Sequence, residues 1–385
     1  TLQTLDVTML DDVGTGANQL IQLDSNAKIP ACSGAAITGL SSVTKNASDP
    51  AIATNPAGGV GTVWQNTTSG EMFICTDATA GENIWTNVGA GSGDIQPFYG
   101  RGGTVKGWLV GGGPNGSQHN RIESWSFTSD GNATDVADAL SYMGMATTAN
   151  ATHCWHMGGY NAGSTNAIHS FAFASTSSSV DSGDLLAVTY GGVGNQSDTY
   201  GYHCGGNTNN QNMIQKFAFA SGGNTSDSGD MTISSSNRAG MSAESYGYMA
   251  GQNPDSDIID KHSFASGGNA TDVGNMTFSS QNRAGTMSAT YGYMHGGYAG
   301  GPRSNVIDRV SFATDGNATD VADLLSAIDG TAGSSSQTYG YSAGGHAPPA
   351  LNTIQKYSFT TNSNSTDVGD LTGTTSSTSG SQSSI

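Results

Sequence analysis

Tyr248-Met-Ala-Gly251, Ile259-Asp-Lys-His262-Ser-Phe264 and Asp272-Val-Gly-Asn275 are the three motifs that decide the fold. All three recur six times in the same order, and the glycine that ends the first motif returns at intervals of 47, 47, 46, 45 and 48 residues. Short apolar segments separated by turns rich in Gly and Asn are typical of β-strands and tight hairpins. A period of about 40–50 residues is typical of β-propeller blades.

The copies keep their register along the chain. The aromatic motif occurs as Trp108/Gly111, Trp155/Gly158, Tyr202/Gly205, Tyr248/Gly251, Tyr293/Gly296 and Tyr341/Gly344. The isoleucine motif occurs as Ile122/Trp125/Phe127, Ile168/Phe171/Phe173, Ile214/Phe217/Phe219, Ile259/His262/Phe264, Ile307/Val310/Phe312 and Ile354/Tyr357/Phe359. The acidic motif occurs as Asp135/Asp138, Asp181/Asp184, Asp227/Asp230, Asp272/Asn275, Asp320/Asp323 and Asp367/Asp370. We predict four strands per repeat, in the order polar, aromatic, isoleucine and acidic, with the aromatic residue buried.

The predicted fold is all-β: a six-bladed β-propeller of four-stranded blades over residues 99–385, preceded by a small β-rich N-terminal region. Residues 99–105 make a poor first strand, whereas residues 376–385 resemble the polar strand of a repeat. We therefore expect the C-terminal segment to complete the first blade. The glycine pairs followed by an aromatic strand resemble kelch-type propeller repeats, although the tryptophan that kelch repeats carry late in the sequence is missing. The resemblance supports the architecture and implies no activity.

The N-terminal region lacks the repeat and divides into two predicted parts. Residues 1–45 include Ala17–Ala31 and Ala36–Leu40, a predicted strand–turn–strand segment for anchoring or oligomerisation. Residues 46–98 include a β-hairpin module from Gly61 to Val88 and a Gly-rich linker. Both stretches resemble segments of bacteriophage tail-fibre and related virion proteins. The resemblance implies a virion location, contacts with other virion proteins through the N-terminal region, and a homo-oligomer such as a trimer.

Charge and composition exclude several classes of partner. The net charge is −18, from 30 acidic and 12 basic residues, so a phosphate-binding surface for nucleic acid is not expected. No run of 18 apolar residues is present, and we predict no membrane insertion. Cys154 and Cys204 are predicted to be buried and unpaired, whereas the pairing of Cys32 with Cys75 stays open.

The sequence has no Gly-x-Ser-x-Gly, P-loop or HExxH motif, and we predict a protein that is not an enzyme and has no cofactor. Two sets of residues have the composition of metal sites. Oxygen ligands spaced as in calcium loops occur at Asp130/Asn132/Thr134/Asp138 and at Asp315/Asn317/Thr319/Asp323, but the other four repeats have Thr176, Gly222, Gly267 and Asn362 in place of the first aspartate. Histidines occur at His153, His156, His203 and His295, but only His156 and His203 share a repeat position. Strand-end capping and packing explain both sets better.

Candidate binding residues lie in the loops between the second and third predicted strands, which differ in every repeat. Tyr160, Tyr298 and His346 carry rings there that suit stacking on a sugar or contact with a protein. We therefore expect a virion tail-fibre, receptor-binding or decoration protein whose propeller is a binding head for a host glycan or protein. The alternatives are a bacterial surface adhesin or filament subunit, extracellular or on the cell surface, and a glycan-active propeller enzyme.

Overall fold

The computed structural model describes residues 43–88, 102–113, 117–140, 143–160, 162–175, 177–208 and 212–383. The chain divides into two compact units, Thr1–Pro97 and Phe98–Ile385. The described residues form 28 strands and no helix. These strands build seven four-stranded sheets, one in the first unit and six in the second.

The strands of each sheet follow one another along the chain, with one exception in sheet 1. The N-terminal sheet contains β1 (Thr44–Asn46), β2 (Val63–Asn66), β3 (Met72–Asp77) and β4 (Ile84–Asn87). Sheet 1 contains β5 (Lys106–Gly112), β6 (His119–Ser126) and β7 (Thr134–Asp138), and sheet 2 contains β8 (Ala146–Ala149), β9 (His153–Met157), β10 (Thr165–Ala172) and β11 (Val180–Thr189). Sheet 3 contains β12 (Val193–Gln196), β13 (Tyr200–Cys204), β14 (Met213–Ala218) and β15 (Ser226–Asp230). Sheet 4 contains β16 (Ala239–Ser242), β17 (Tyr246–Ala250), β18 (Ser256–Ser263) and β19 (Thr271–Ser280). Sheet 5 contains β20 (Ala284–Met287), β21 (Tyr291–His295), β22 (Ser304–Ser311) and β23 (Thr319–Ile328). Sheet 6 contains β24 (Ala332–Ser335), β25 (Tyr339–Ala343), β26 (Leu351–Ser358) and β27 (Thr366–Thr375).

The last strand of the chain, β28 (Ser379–Ser383), belongs to sheet 1. It pairs antiparallel with β5 in the register Ser381↔Trp108, so sheet 1 has the order β28-β5-β6-β7. The C-terminal segment therefore supplies the first strand of sheet 1, as its polar sequence predicts. The predicted order of polar, aromatic, isoleucine and acidic strands is also present in sheets 2 to 6.

The aromatic motif builds the core between neighbouring sheets. Each aromatic residue is at most 5% exposed, which confirms its predicted burial, and each packs against the phenylalanine of the isoleucine motif in the next sheet. The centroid distances are 4.6–5.3 Å in the six pairs Trp108–Phe173, Trp155–Phe219, Tyr202–Phe264, Tyr248–Phe312, Tyr293–Phe359 and Tyr341–Phe127. The last pair joins sheet 6 to sheet 1, so the contacts form a closed cycle. Burial of such large rings is a dominant source of stability.

Hydrogen bonds join the turn before each acidic strand to the acidic motif of the preceding sheet, and we call this contact the clasp. In five junctions the turn asparagine accepts a hydrogen bond from the backbone N–H of the last residue of the acidic motif in the preceding sheet. The pairs are Asn224–Asp184, Asn269–Asp230, Asn317–Asn275, Asn364–Asp323 and Asn132–Asp370, at 3.0–3.1 Å. Ser178 replaces asparagine in sheet 2 and accepts from the backbone N–H of Asp138 at 3.3 Å. The turn also returns a backbone N–H to the same residue, as from Ala133 to the Asp370 carbonyl at 2.8 Å.

The first strands of the six sheets also contact one another in a cycle, in the order β28, β8, β12, β16, β20, β24 and back to β28. Five of the six first strands have glycine at their midpoint, where the carbonyl of the preceding strand occupies the place of a Cβ. An added Cβ would lie 1.8–2.5 Å from that carbonyl oxygen at Gly194, Gly240, Gly285, Gly333 and Gly380. Thr147 stands at the sixth position, and its hydroxyl donates to the Gly380 carbonyl at 2.6 Å.

The N-terminal sheet has its own small core. Strands β2, β3 and β4 are antiparallel, and β1 adds to β2 in parallel. Trp64, Phe73, Cys75 and Trp85 cluster on one side, with the two tryptophan rings edge to face at 5.8 Å. The predicted strand–turn–strand segment over residues 17–40 lies outside the described residues, as does the predicted linker over residues 89–97.

Deleting Ser379–Ile385 should lower the melting temperature by more than about 10 °C. The deletion leaves β5 without a neighbour and removes one member from the cycle of first-strand contacts. The loss of several kcal/mol corresponds to about 2–4 °C per kcal/mol for a domain of this size. Thermal unfolding followed by circular dichroism measures the effect, with deletion of residues 384–385 alone as the control. Equal melting temperatures for the two deletions would contradict the role assigned to β28.

Gly285→Ala should destabilise the protein by about 1–3 kcal/mol, because the new Cβ would lie 2.1 Å from the Gly240 carbonyl oxygen. Gly163→Ala is the matched control, since a Cβ there meets nothing within 4 Å. Its effect should stay within about 0.5 kcal/mol. Urea unfolding measures both variants, and similar free energies of unfolding would show that the first strands are not in tight contact.

Candidate functional site

A cavity of about 620 Å³ lies among the first strands of the six sheets. Its wall includes residues from every first strand, and it extends to the loops that precede those strands. The two lining residues with charged side chains in the described part of the chain are Arg238 and Arg283. The rest of the wall is formed by glycines, hydroxyl and amide side chains, short apolar residues, three methionines and two tyrosines.

One end of the cavity is encircled by a closed set of backbone hydrogen bonds, which we call the mouth. At each junction one residue donates its N–H to the carbonyl of its counterpart in the neighbouring sheet, at 2.7–3.2 Å. All six have φ between +54° and +69°, a conformation that favours Gly and Asn. In cyclic order the mouth residues are Gly144, Gly191, Asn237, Asn282, Gly330 and Ser377. The mouth residues also line the cavity.

The three predicted binding residues occupy equivalent positions beside this mouth. Tyr160, Tyr298 and His346 each follow the glycine pair of the aromatic strand and bridge to the residue that precedes a mouth residue: Met143, Gln281 and Asp329. Tyr160 is 38% exposed and lines the cavity, where its ring lies 6.0 Å from that of Tyr190. Asn207 donates its side-chain amide to the Tyr190 hydroxyl. Sheets 2 and 3 thus contribute an aromatic side to the mouth.

Sheets 5 and 6 contribute a charged side instead. Arg303 lies between the two predicted residues: its guanidinium is 5.8 Å from the Tyr298 ring and donates to Nδ1 of His346. Arg303 also forms an ion pair with Asp329, which lies 3.8 Å from His346. The structure therefore brings Tyr298 and His346 together through Arg303 and places Tyr160 in a different group.

Sequence reasoning missed Tyr190, Arg303 and Asp329. A usable signal existed for two of them, because Tyr190 and Asp329 directly precede Gly191 and Gly330, the glycines that open the polar strands. Arg303 has no repeat counterpart that would have singled it out.

Two buried ion pairs lie in the cavity wall, in sheets 4 and 5. Arg238 pairs with Asp260 and Arg283 with Asp308, both at 2.6 Å, and all four side chains are at most 1% exposed. Thr232 and Thr277 in the preceding sheets donate to the same carboxylates. Burial lowers the pKa of Arg283, but the adjacent Asp308 opposes that shift. Because each charge is neutralised and hydrogen-bonded, the wall carries no uncompensated charge there.

Five histidines are held in the neutral form. Burial lowers the pKa of His156 and His295 to about 3, and that of His119, His203 and His262 to about 4. His156 faces His169 at 5.0 Å between ring centroids, and neither of its ring nitrogens has a hydrogen-bond partner. His203 is in the same position in sheet 3 and is also without partners. These two histidines pack in the interior and take no part in the mouth.

The calcium-like ligand sets are engaged in contacts between sheets. Asp130 and Asp315, their first members, form ion pairs with Lys356 and Lys261 of the preceding sheets. Asn132 and Asn317 accept the backbone hydrogen bonds that clasp sheets together. Within the described residues no group of three or more His, Cys, Asp or Glu side chains is arranged to hold a metal.

The cysteines of the described residues are buried and free: Cys75, Cys154 and Cys204. Burial raises the pKa of Cys154 to about 12 and raises that of Cys204 as well, so both stay protonated thiols. Cys32 lies outside the described residues.

Comparison with known proteins gives no identification. No protein-family model matches the chain, and no curated protein matches it. Among the described residues no helix is long and apolar enough to cross a membrane.

The free energy of unfolding should fall as the pH is lowered from about 7 to about 4. The unfolded chain takes up protons near the usual histidine pKa of about 6.5, whereas the folded protein resists protonation until about pH 3–4. His203→Met should reduce this loss, since Met249 occupies the equivalent position in sheet 4. Urea unfolding at several pH values measures both proteins, and parallel profiles would contradict the buried neutral state of His203.

Proposed function

We propose that the unit Phe98–Ile385 is a six-bladed β-propeller in which sheets 1 to 6 are the blades. Three independent cycles of contacts support this proposal: the first-strand contacts, the aromatic stacks and the turn clasps. Each joins sheet 6 to sheet 1. The proposed closure leaves only the outer strands as sheet edges, which limits edge-to-edge aggregation.

We propose that the protein is a non-enzymatic virion structural protein: a tail-fibre, receptor-binding or decoration protein with the propeller as its binding head. The N-terminal region would connect it to other virion proteins. Support comes from the tail-fibre-like stretches of the N-terminal region and from the design of the two ends of the propeller unit. A homo-oligomer such as a trimer is part of the same proposal.

The observation that carries the binding role is the contrast between these two ends. At one end the asparagines of the turns before the acidic strands form hydrogen bonds to the preceding sheet, so the sequence of these turns is constrained. At the mouth end the position that bridges to the loop before each first strand carries four different residue types in the six sheets: Gly113, Tyr160, Asn207, Asn253, Tyr298 and His346. Variable side chains on a rigid scaffold are where recognition usually resides.

The face is suited to a host glycan or protein. Tyr160 and Tyr190 offer rings for stacking on a sugar or for anchoring a protein contact. Arg303, Asp329 and His346 offer hydrogen-bonding groups on the side formed by sheets 5 and 6. This combination of aromatic and polar groups is the composition of many recognition surfaces.

The double variant Tyr160→Ser/Tyr298→Ser should reduce attachment to host cells, or assembly into particles, by at least about tenfold, as expected when two aromatic anchors are removed. Tyr200→Ser/Tyr246→Ser is the matched control, because these tyrosines are 36% and 38% exposed at the opposite end of sheets 3 and 4. Attachment of purified, labelled protein and incorporation into particles are the measurements. Equal behaviour of the two double variants would refute the mouth face as the binding surface.

A further inference from the structure

The cavity wall is built from open strand edges. In sheet 4, Ala243 N–H donates to the Tyr246 carbonyl at 2.8 Å at the hairpin that joins β16 to β17. Hydrogen-bonded and non-hydrogen-bonded pairs alternate along an antiparallel ladder. Ser242↔Gly247 and Gly240↔Met249 are therefore non-hydrogen-bonded pairs. Their first-strand members direct their N–H and C=O groups away from β17, toward the first strand of the next sheet and the cavity that both strands line.

The same hairpin bond is present in sheets 2, 3, 5 and 6, donated by Asn150, Ser197, Ser288 and Ser336. The alternation therefore places two sets of backbone groups on the wall. One set lies at the midpoint of the first strands, which we call the glycine level because Gly194, Gly240, Gly285, Gly333 and Gly380 stand there. The second set lies near the end opposite the mouth. Most N–H groups of the second set already have a hydrogen-bond partner. Side chains of the following sheet accept hydrogen bonds from the backbone N–H groups of Ala149, Gln196, Ser242, Met287 and Ser335. At the glycine level the Thr147 hydroxyl binds the Gly380 carbonyl.

The wall at the glycine level therefore presents peptide groups from all six sheets without intervening side chains, apart from Thr147. Peptide groups both donate and accept hydrogen bonds, and buried ones require a partner. A hydroxyl group satisfies both functions because it is itself a donor and an acceptor. Ligands with several hydroxyl groups fit such a wall.

Charge narrows the class of ligand. The two lining arginines are already paired with Asp260 and Asp308. An anion or a cation in the cavity would lose its hydration without gaining an unpaired counter-charge, which is costly. The volume of about 620 Å³ lies within the usual range for small-molecule sites, about 300–1,000 Å³. Tyr160, Tyr190 and Met143 at the mouth supply apolar surface for the C–H faces of such a ligand.

We propose that this cavity is a binding site for a neutral, polyhydroxylated ligand, namely a hexose unit that enters through the mouth. The peptide groups at the glycine level bind its hydroxyls, and the tyrosine pair contacts its ring. The inference deepens the proposed binding head and relies on it only for the biological source of the sugar. Binding of a sugar and attachment to cells are separate measurements, so either proposal can fail while the other stands.

The test is titration of the full chain with D-glucose, D-galactose and D-mannose, followed by saturation-transfer NMR. At least one neutral hexose should bind saturably, and its charged counterpart, D-glucuronate or D-glucosamine, should bind at least about tenfold more weakly. An oligosaccharide of the preferred hexose shows the source: binding of both forms indicates a glycan end, and binding of the monosaccharide alone indicates a free sugar.

Ser242→Met places a longer side chain in the cavity and should weaken binding at least about tenfold by occupying the ligand's volume. The chain tolerates this residue type, since Met287 is the equivalent in sheet 5 and its sulfur accepts the Ser242 N–H at 3.2 Å. Ser221→Met, in an exposed turn of sheet 3, is the control. Melting temperatures establish that both variants are folded. The proposal is overturned if no neutral hexose binds up to about 50 mM, far beyond the millimolar range of weak specific sites, or if Ser242→Met binds as tightly as Ser221→Met.

Discussion

The rest of the structure depends on the clasp between each turn and the preceding sheet. Where the turn has glycine at its second position, the carbonyl of that glycine lies against the preceding sheet. The facing residue is then also glycine, in the pairs Gly131–Gly369, Gly223–Gly183, Gly268–Gly229 and Gly316–Gly274, where an added Cβ would lie 2.2–2.4 Å from the carbonyl group. Where the turn carries Ser177 or Ser363 instead, the facing residue is Ala137 or Ala322. At all six junctions a glycine in the turn faces a glycine and a serine in the turn faces an alanine, because the turn backbone and the facing Cβ compete for the same space.

The clasp also explains why one end of the sheets is uniform and the other is not. Turn asparagines, acidic-strand amides and buried aromatic rings all contact a neighbouring sheet, so a change in any of them affects two sheets at once. Residues around the mouth contact their neighbours through backbone hydrogen bonds. These backbone contacts do not depend on which side chain is present, so Tyr160 and His346 can differ at equivalent positions without loss of the scaffold.

The sheets also differ from one another in the interior, next to the cavity. Sheets 4 and 5 fill one interior position with the carboxylates of Asp260 and Asp308 and neutralise them with the arginines that directly precede the first strands. Sheet 3 has Gln215 at that position, and its amide oxygen accepts the N–H of Leu186 in sheet 2 at 2.8 Å. His156 and His203 in sheets 2 and 3 stay neutral because burial disfavours the imidazolium ion. The interior is thus electrically neutral by different means in different sheets.

The sequence by itself determined the strands, their order, the buried aromatic residues and the return of the C-terminal segment to sheet 1, because periodic apolar residues and Gly/Asn turns are local signals. It also singled out Tyr160, Tyr298 and His346, since loops that differ between repeats are visible without a structure. Only the tertiary structure decided that Tyr298 and His346 share Arg303, that Tyr160 pairs with Tyr190, and that Asn132 accepts from Asp370, 238 positions away. Such contacts depend on the distance and angle between sheets, which are set only when all six sheets pack together.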